Sequence, residues 1–184
     1  MSFEPTSLIH VSFMPEKEKI PMGRLALKDR QLFFEYNLSF IQRGLELSPF
    51  KLPLKPGVFT CDDPLFGGLW GVFNDSLPDG WGRLLLDRKL MKMQVNPGDL
   101  SPLDRLRYVG HRGMGALIYE PEIEGPVPSD HEDLDTLADE ATHFQNNDDD
   151  RFIDTLLDLN GSSAGARPKM LTRIEDEDWI IKFR

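Results

Sequence analysis

Residues 161–169 read GSSAGARPK and contain few bulky side chains. Such a loop lets backbone N–H groups approach phosphate oxygens closely and bind them as a nest. An apolar run at 170–174, an acidic turn at 175–178 and a second apolar run at 179–183 follow. The second run carries Lys182, and a lysine on such a strand can reach the same phosphates as a point charge. The pattern indicates a phosphate-binding loop followed by a β-hairpin.

The order of these features is typical of the N-lobe of a protein kinase, where a glycine-rich loop, a strand, a turn and a strand lysine hold ATP. The loop is neither a G-x-G-x-x-G sequence nor a Walker A sequence. On these residues alone a simpler interpretation stays open. In it, residues 161–169 are a turn of small residues before a hairpin, and Lys182 is an ordinary exposed strand lysine.

Composition limits the class of protein. The chain has 184 residues, 40% of them hydrophobic, which is enough for one large domain or two small ones. Cys61 is the single cysteine, so no internal disulfide can form, which fits a reducing compartment. No apolar run reaches the length of a membrane span, and the N-terminus lacks the pattern of a signal peptide. We therefore expect a soluble, cytoplasmic protein that does not bind membranes.

Charge is distributed unevenly along the chain, whose net charge is −10. Residues 1–121 carry 15 Lys and Arg against 14 Asp and Glu, whereas residues 122–184 carry 6 against 17. Nucleic-acid binding relies on basic patches that neutralise backbone phosphates. We therefore expect no direct binding of DNA by this chain.

Strand patterns rich in β-branched and aromatic residues lie at 8–13, 21–28 and 31–36. Helix patterns follow them rather than alternate with them, which predicts an α+β fold with an antiparallel sheet in residues 8–73. Four prolines in residues 45–64 favour edge strands and connections there. A further strand is predicted at 113–119.

One helix is predicted from near Asp79, entered at Asp75 or Ser76, and another from Ser101 with Pro102 in its first turn. Two later helices are predicted, one in the acidic segment 133–144 and one at residues 152–157, whose apolar residues would lie on one face. We expect the following side chains of the first and last helices to pack in the core: Trp81, Leu84, Leu85, Arg88 and Met91, then Phe152, Ile153, Leu156 and Leu157.

The order of motifs along nearly the whole chain resembles the N-terminal portion of the HipA family. The segments that carry this resemblance are 34–36, 45–54, 73–83, 106–110, 113–117, 162–169 and 180–182. HipA proteins are bacterial serine/threonine kinases that act as toxins and are restrained by HipB, a small helix-turn-helix antitoxin. The best-known members phosphorylate glutamyl-tRNA synthetase. The resemblance thus implies a HipB-like partner and an aminoacyl-tRNA synthetase as protein substrate.

The resemblance also implies a division of the chain. Residues 1–124 would be the β-rich N-terminal subdomain, and residues 125–184 would begin the kinase N-lobe. Ser162 matches the loop serine that the family autophosphorylates, although the neighbouring Ser163 leaves the choice between the two open. The residues that would bind ATP are Ser163, Ala164, Gly165, Ala166, Lys169 and Lys182.

The chain departs from the family because it stops two residues after Lys182. The catalytic Asp, the Asn and the metal-binding Asp of HipA kinases lie in a later lobe, so no catalytic or metal-binding residue is assigned here. We expect ATP and Mg²⁺ to serve the full-length kinase, and the isolated chain to be inactive and to bind neither tightly. The alternatives are a non-catalytic module that binds the antitoxin or a sister subunit, and an α+β domain whose loop binds nothing.

Overall fold

A computed structural model describes residues 4–61, 65–78, 80–123, 153, 156, 165, 167, 169–174 and 177–182. The chain forms two compact units. The sheet unit consists of Met1–Leu77 and Leu100–Ile123, and the hairpin unit consists of Pro78–Asp99 and Glu124–Arg184. Each unit is interrupted in sequence by a segment of the other.

The sheet unit is built on a five-stranded sheet in the order β4-β3-β2-β1-β5, with every neighbouring pair antiparallel. Its strands are β1 Leu8–Phe13, β2 Ile20–Lys28, β3 Gln31–Tyr36, β4 Val58–Thr60 and β5 Leu117–Glu120. The predicted α+β class, the antiparallel sheet and the first three predicted strands are confirmed. The short strand β4 forms one edge of the sheet and lies in the proline-rich segment, as predicted.

Across the described residues, three helices belong to the sheet unit, and a fourth, Gly80–Lys92, belongs to the hairpin unit. They are α1 Leu38–Arg43, α2 Gly71–Asn74, α3 Gly80–Lys92 and α4 Pro102–Val109, with 3₁₀ turns at Leu65–Gly68 and Pro97–Asp99. None of the helices in these ranges has the length and apolar character needed to cross a bilayer.

The core of the sheet unit lies between the sheet and its helices. Side chains alternate between the two faces of a strand, so every second residue of β1 and β3 points inward. The fully buried residues of this core include Ile9, Val11, Leu25, Leu32, Phe34, Phe40, Phe73, Leu103 and Leu106. Aromatic rings meet at its centre, where the Phe34 centroid lies 4.7 Å from that of Tyr36 and 5.1 Å from that of Phe73.

The sheet differs from prediction in its range. Its fifth strand is β5, which overlaps the strand predicted at 113–119 and so lies beyond residues 8–73, whereas residues 65–68 form a 3₁₀ turn and residues 71–74 form α2. The predicted helix entry at Asp75 or Ser76 is wrong, because Asp75 instead caps the C-terminus of α2 and α3 begins at Gly80. Ser76 instead accepts a hydrogen bond of 2.7 Å at its Oγ from the buried Tyr119 hydroxyl. Burial also raises the pKa of Tyr119.

Helix α4 begins as predicted, with Ser101 as N-cap and Pro102 in the first turn. Ser101 Oγ accepts from the Asp104 N–H, while the Asp104 carboxylate accepts from the Ser101 N–H at 2.9 Å and hydroxyl at 2.6 Å. The same carboxylate accepts the Thr6 N–H at 2.8 Å. Arg107 donates to Thr6 Oγ1 and to the Pro121 carbonyl. Helix α4 therefore holds both the start of the chain and the segment after β5.

A histidine–carboxylate contact follows α4, where His111 Nδ1 lies 2.5 Å from Glu122 Oε2. Burial alone would raise the pKa of the Glu122 carboxyl, but the hydrogen bond and charge of His111 outweigh it, so this pKa lies below its ordinary value of 4.5. A carboxyl with a lowered pKa stabilises the fold above its unfolded-state pKa and loses that contribution as pH falls through the folded-state value.

Glu122→Gln is therefore expected to lower the Tm at about pH 5.5 and to have a smaller effect at about pH 3, where more of the wild-type Glu122 carboxyl is protonated. Thermal unfolding followed by circular dichroism at both pH values measures this difference. Glu16→Gln, at an exposed position, is the control and should leave the Tm unchanged at both. An equal loss of Tm at both pH values for Glu122→Gln would contradict the assignment.

The hairpin unit contains α3, two residues of a later helix and a two-stranded sheet. Its strands, β6 Lys169–Ile174 and β7 Glu177–Lys182, pair antiparallel and confirm the predicted hairpin. Glu177 and Asp178, predicted in the turn, belong to β7. Ile153 and Leu156 are helical and buried, as predicted. Phe152, Leu157 and the acidic segment 133–144 lie outside the described residues.

The buried face of α3 differs partly from prediction. Trp81, Leu85, Leu86 and Leu90 are buried. Leu84 is 39% exposed and Met91 is 61% exposed, so their predicted place in the core is wrong. Trp81 and Leu85 confirm the prediction, Arg88 is half-buried, and Leu86 and Leu90 complete the buried face in place of Leu84 and Met91.

Candidate functional site

The candidate site lies within the hairpin unit, where residues 161–168 lead into β6. We call residues 161–168 the small-residue loop. Of the predicted ATP-binding residues, the structure describes Gly165, Lys169 and Lys182. Ser163, Ala164 and Ala166, and the predicted autophosphorylation residue Ser162, lie outside the described residues.

The Gly165 carbonyl oxygen accepts two hydrogen bonds from different elements of the hairpin unit. It accepts the backbone N–H of Trp81, at the start of α3, at 3.0 Å. It also accepts the ammonium of Lys169, from the start of β6, at 3.0 Å. The first N–H groups of a helix have no partner within the helix, so this carbonyl satisfies one of them. One atom thus joins the loop, α3 and β6.

Gly165 is suited to this position for two reasons. Its φ is +111°, in a region that other residues rarely adopt. A Cβ at this residue would also lie 2.9 Å from Lys169 Nζ. A side chain here would therefore strain the backbone and crowd the ammonium that binds the carbonyl.

The two lysines of the hairpin lie directly opposite each other, because Lys169 pairs with Lys182 in the β6–β7 register. Residues in such a pair project from the same face of a sheet, and like charges at these positions disfavour pairing. Their environments differ: Lys169 is only 4% exposed, whereas Lys182 is exposed. The register therefore places the two lysines side by side, next to Gly165.

Sequence reasoning found the loop and both lysines but missed the contribution of α3. Nothing near Trp81 indicates that its backbone N–H contacts a residue so distant in sequence. Within the described part of the chain, no group of three or more His, Cys, Asp or Glu side chains is arranged to hold a metal ion.

The fold and site define an antiparallel α+β chain with a small-residue loop that leads into a hairpin carrying two lysines in register. Residues 17–120 match the family of the HipA N-terminal domain, which is more than half of the chain. The chain therefore belongs to the HipA family, as an N-terminal portion, and this membership suggests a toxin–antitoxin context. A search of curated proteins finds no match.

Proposed function

We propose that this chain is the N-terminal part of a HipA-like serine/threonine protein kinase toxin, in which the small-residue loop and the β6–β7 hairpin bind the phosphates of ATP. The observation that carries the proposal is the register of Lys169 with Lys182 beside Gly165. Two cations held on one face next to a loop of small residues form a site for a polyanion. Membership in the HipA family supports the choice of ATP.

In this function, Lys182 and residues 163–166 bind the phosphates. Mg²⁺ and ATP serve the full-length kinase, and we assign no catalytic or metal-binding residue to this chain. Ser162, or its neighbour Ser163, is the autophosphorylated residue. A phosphoserine adds about −1.5 to −2 charges at neutral pH and would repel the nucleotide from the loop. The substrate is a protein such as glutamyl-tRNA synthetase, and a HipB-like antitoxin neutralises the toxin.

Lys182→Met tests the proposal. Binding of a fluorescent ATP analogue to the 184-residue chain is expected to be weak, and to weaken by about tenfold or more in the variant, since a hydrogen bond to a charged group contributes about 1.5–3 kcal/mol. Equilibrium titration at low and high salt measures both affinities, and screening should reduce the difference. Lys28→Met, which removes an exposed lysine of β2, is the matched control and should bind as the wild type does.

Equal affinities for the wild type and Lys182→Met would contradict the phosphate-binding role. In that event the alternative function gains support: a non-catalytic module that binds the antitoxin or a sister subunit. The family match at residues 17–120 is compatible with this alternative as well. Binding of a HipB-like antitoxin without binding of nucleotide would identify this chain as such a module.

A further inference from the structure

The two hairpin lysines are equivalent in sequence pattern but not in surroundings. Lys169 is 4% exposed and its ammonium donates to the Gly165 carbonyl at 3.0 Å. Lys182, its partner across the hairpin, is exposed. A buried ammonium is costly unless it keeps polar partners, so Lys169 is bound to the protein interior in a way that Lys182 is not.

We infer that Lys169 is a positioning residue, which holds Gly165 against the start of α3 through the Gly165 carbonyl, and that contact with the nucleotide falls to Lys182. The second half of this inference rests on the proposed function. The first half concerns the nucleotide-free chain and holds independently of it.

The geometry at Gly165 gives the reason. Its carbonyl accepts the Trp81 N–H and the Lys169 ammonium, each at 3.0 Å. A cation bound to a carbonyl oxygen holds it in place more strongly than a neutral donor does. Without the ammonium, the carbonyl would lose its charged donor and keep the weaker, neutral bond from Trp81. Gly165 would then separate from the start of α3 more often.

A switch of Lys169 toward a bound phosphate would break this arrangement. The ammonium would leave the Gly165 carbonyl, and that half of the link to α3 would be lost as the nucleotide arrives. Lys182 lies in register with Lys169 and is exposed, so it can meet a phosphate without breaking the link. The division of roles would therefore keep the bonds at the Gly165 carbonyl intact when a nucleotide binds.

Amide hydrogen exchange of the 184-residue chain, measured by NMR without nucleotide, tests the positioning role directly. In Lys169→Met the Trp81 amide is expected to exchange about tenfold faster, as the loss of a charged hydrogen bond predicts. The Leu90 amide, in the same helix, should be unaffected and reports any global loss of stability. Lys182→Met is the matched control and should leave the Trp81 exchange rate unchanged. Lys169→Gln keeps a neutral donor and should give an intermediate rate.

The same variants then separate the roles in nucleotide binding. Lys169→Gln should lower the affinity for the fluorescent ATP analogue less than Lys182→Met does. The inference is overturned if Lys169→Met leaves Trp81 exchange unchanged, or if Lys169→Gln loses as much affinity as Lys182→Met. If Lys169→Met does not fold, the exchange rates of Lys169→Gln are judged by the same criteria. Failure to bind nucleotide would refute the proposed function but not the positioning role, which the exchange rates decide.

Discussion

Replacing Phe34 by alanine is expected to lower the free energy of unfolding by about 3–5 kcal/mol. Phe34 is fully buried in β3, where its ring meets those of Tyr36, Trp70 and Phe73. Truncation would remove these contacts and leave a cavity that the surrounding aromatic rings cannot fill without moving. Urea unfolding followed by tryptophan fluorescence and circular dichroism measures the loss.

The neighbouring Phe33→Ala is the matched control, because it removes the same ring from the same strand. Phe33 points to the opposite face of the sheet, where it is only partly buried and lines a shallow depression with Leu8 and Val58. We expect a loss of about 1 kcal/mol or less there, by analogy with substitutions outside the core. Similar losses for the two variants would show that the sheet does not bury the face described above.

Replacing Asp104 by alanine is expected to lower the free energy of unfolding by about 2–4 kcal/mol, because it removes half of the capping box of α4 and deprives the half-buried Ser101 and Thr6 N–H groups of their acceptor. The side chain is 1% exposed and accepts hydrogen bonds from the Ser101 N–H, the Ser101 hydroxyl and the Thr6 N–H. Thermal and urea unfolding measure the cost.

Asp104→Asn separates the two effects. The amide keeps one acceptor oxygen in nearly the same volume, so this variant should lose less stability than Asp104→Ala. Hydrogen exchange of the Thr6 amide should rise more in the alanine variant than in the asparagine variant. An alanine variant as stable as the wild type would mean that the carboxylate does not attach the start of the chain to α4.

Much of the sheet unit was predictable from sequence because its signals are local. Alternation of buried and exposed residues defines β1 and β3, and both were predicted with the bounds observed. The start of α4 was predictable too, since Ser101 and Pro102 stand in their usual positions at a helix N-terminus. In each case the residues that determine the structure are neighbours in the chain.

Predictions failed where a distant residue decides the local structure. Ser76 has the character of a helix cap, but the buried hydroxyl of Tyr119 uses it instead. Leu84 and Met91 have helical spacing, yet the helix that contains them starts at Gly80 and turns another face inward. Helical spacing of apolar residues predicts that a helix has an apolar face, but it does not predict which residues the rest of the unit will bury.

The candidate site shows the same limit. Residues 161–169 and Lys182 stand out in the sequence because small residues and strand lysines are recognisable by type. The sequence does not show that Lys169 is buried and Lys182 exposed, since both are lysines at strand ends. The hydrogen bond from the Trp81 N–H to the Gly165 carbonyl could not be predicted either, because every residue except proline has the same backbone N–H group.

The interleaving of the two units sets an order of events during synthesis on the ribosome. The nascent chain presents Pro78–Asp99, with the apolar residues of α3, before Leu100–Ile123 supplies β5 to the sheet. That first segment of the hairpin unit must then wait for Glu124–Arg184 before its unit can close. Since transiently exposed apolar surface favours aggregation and chaperone binding, α3 needs protection during translation until the rest of its unit has been made.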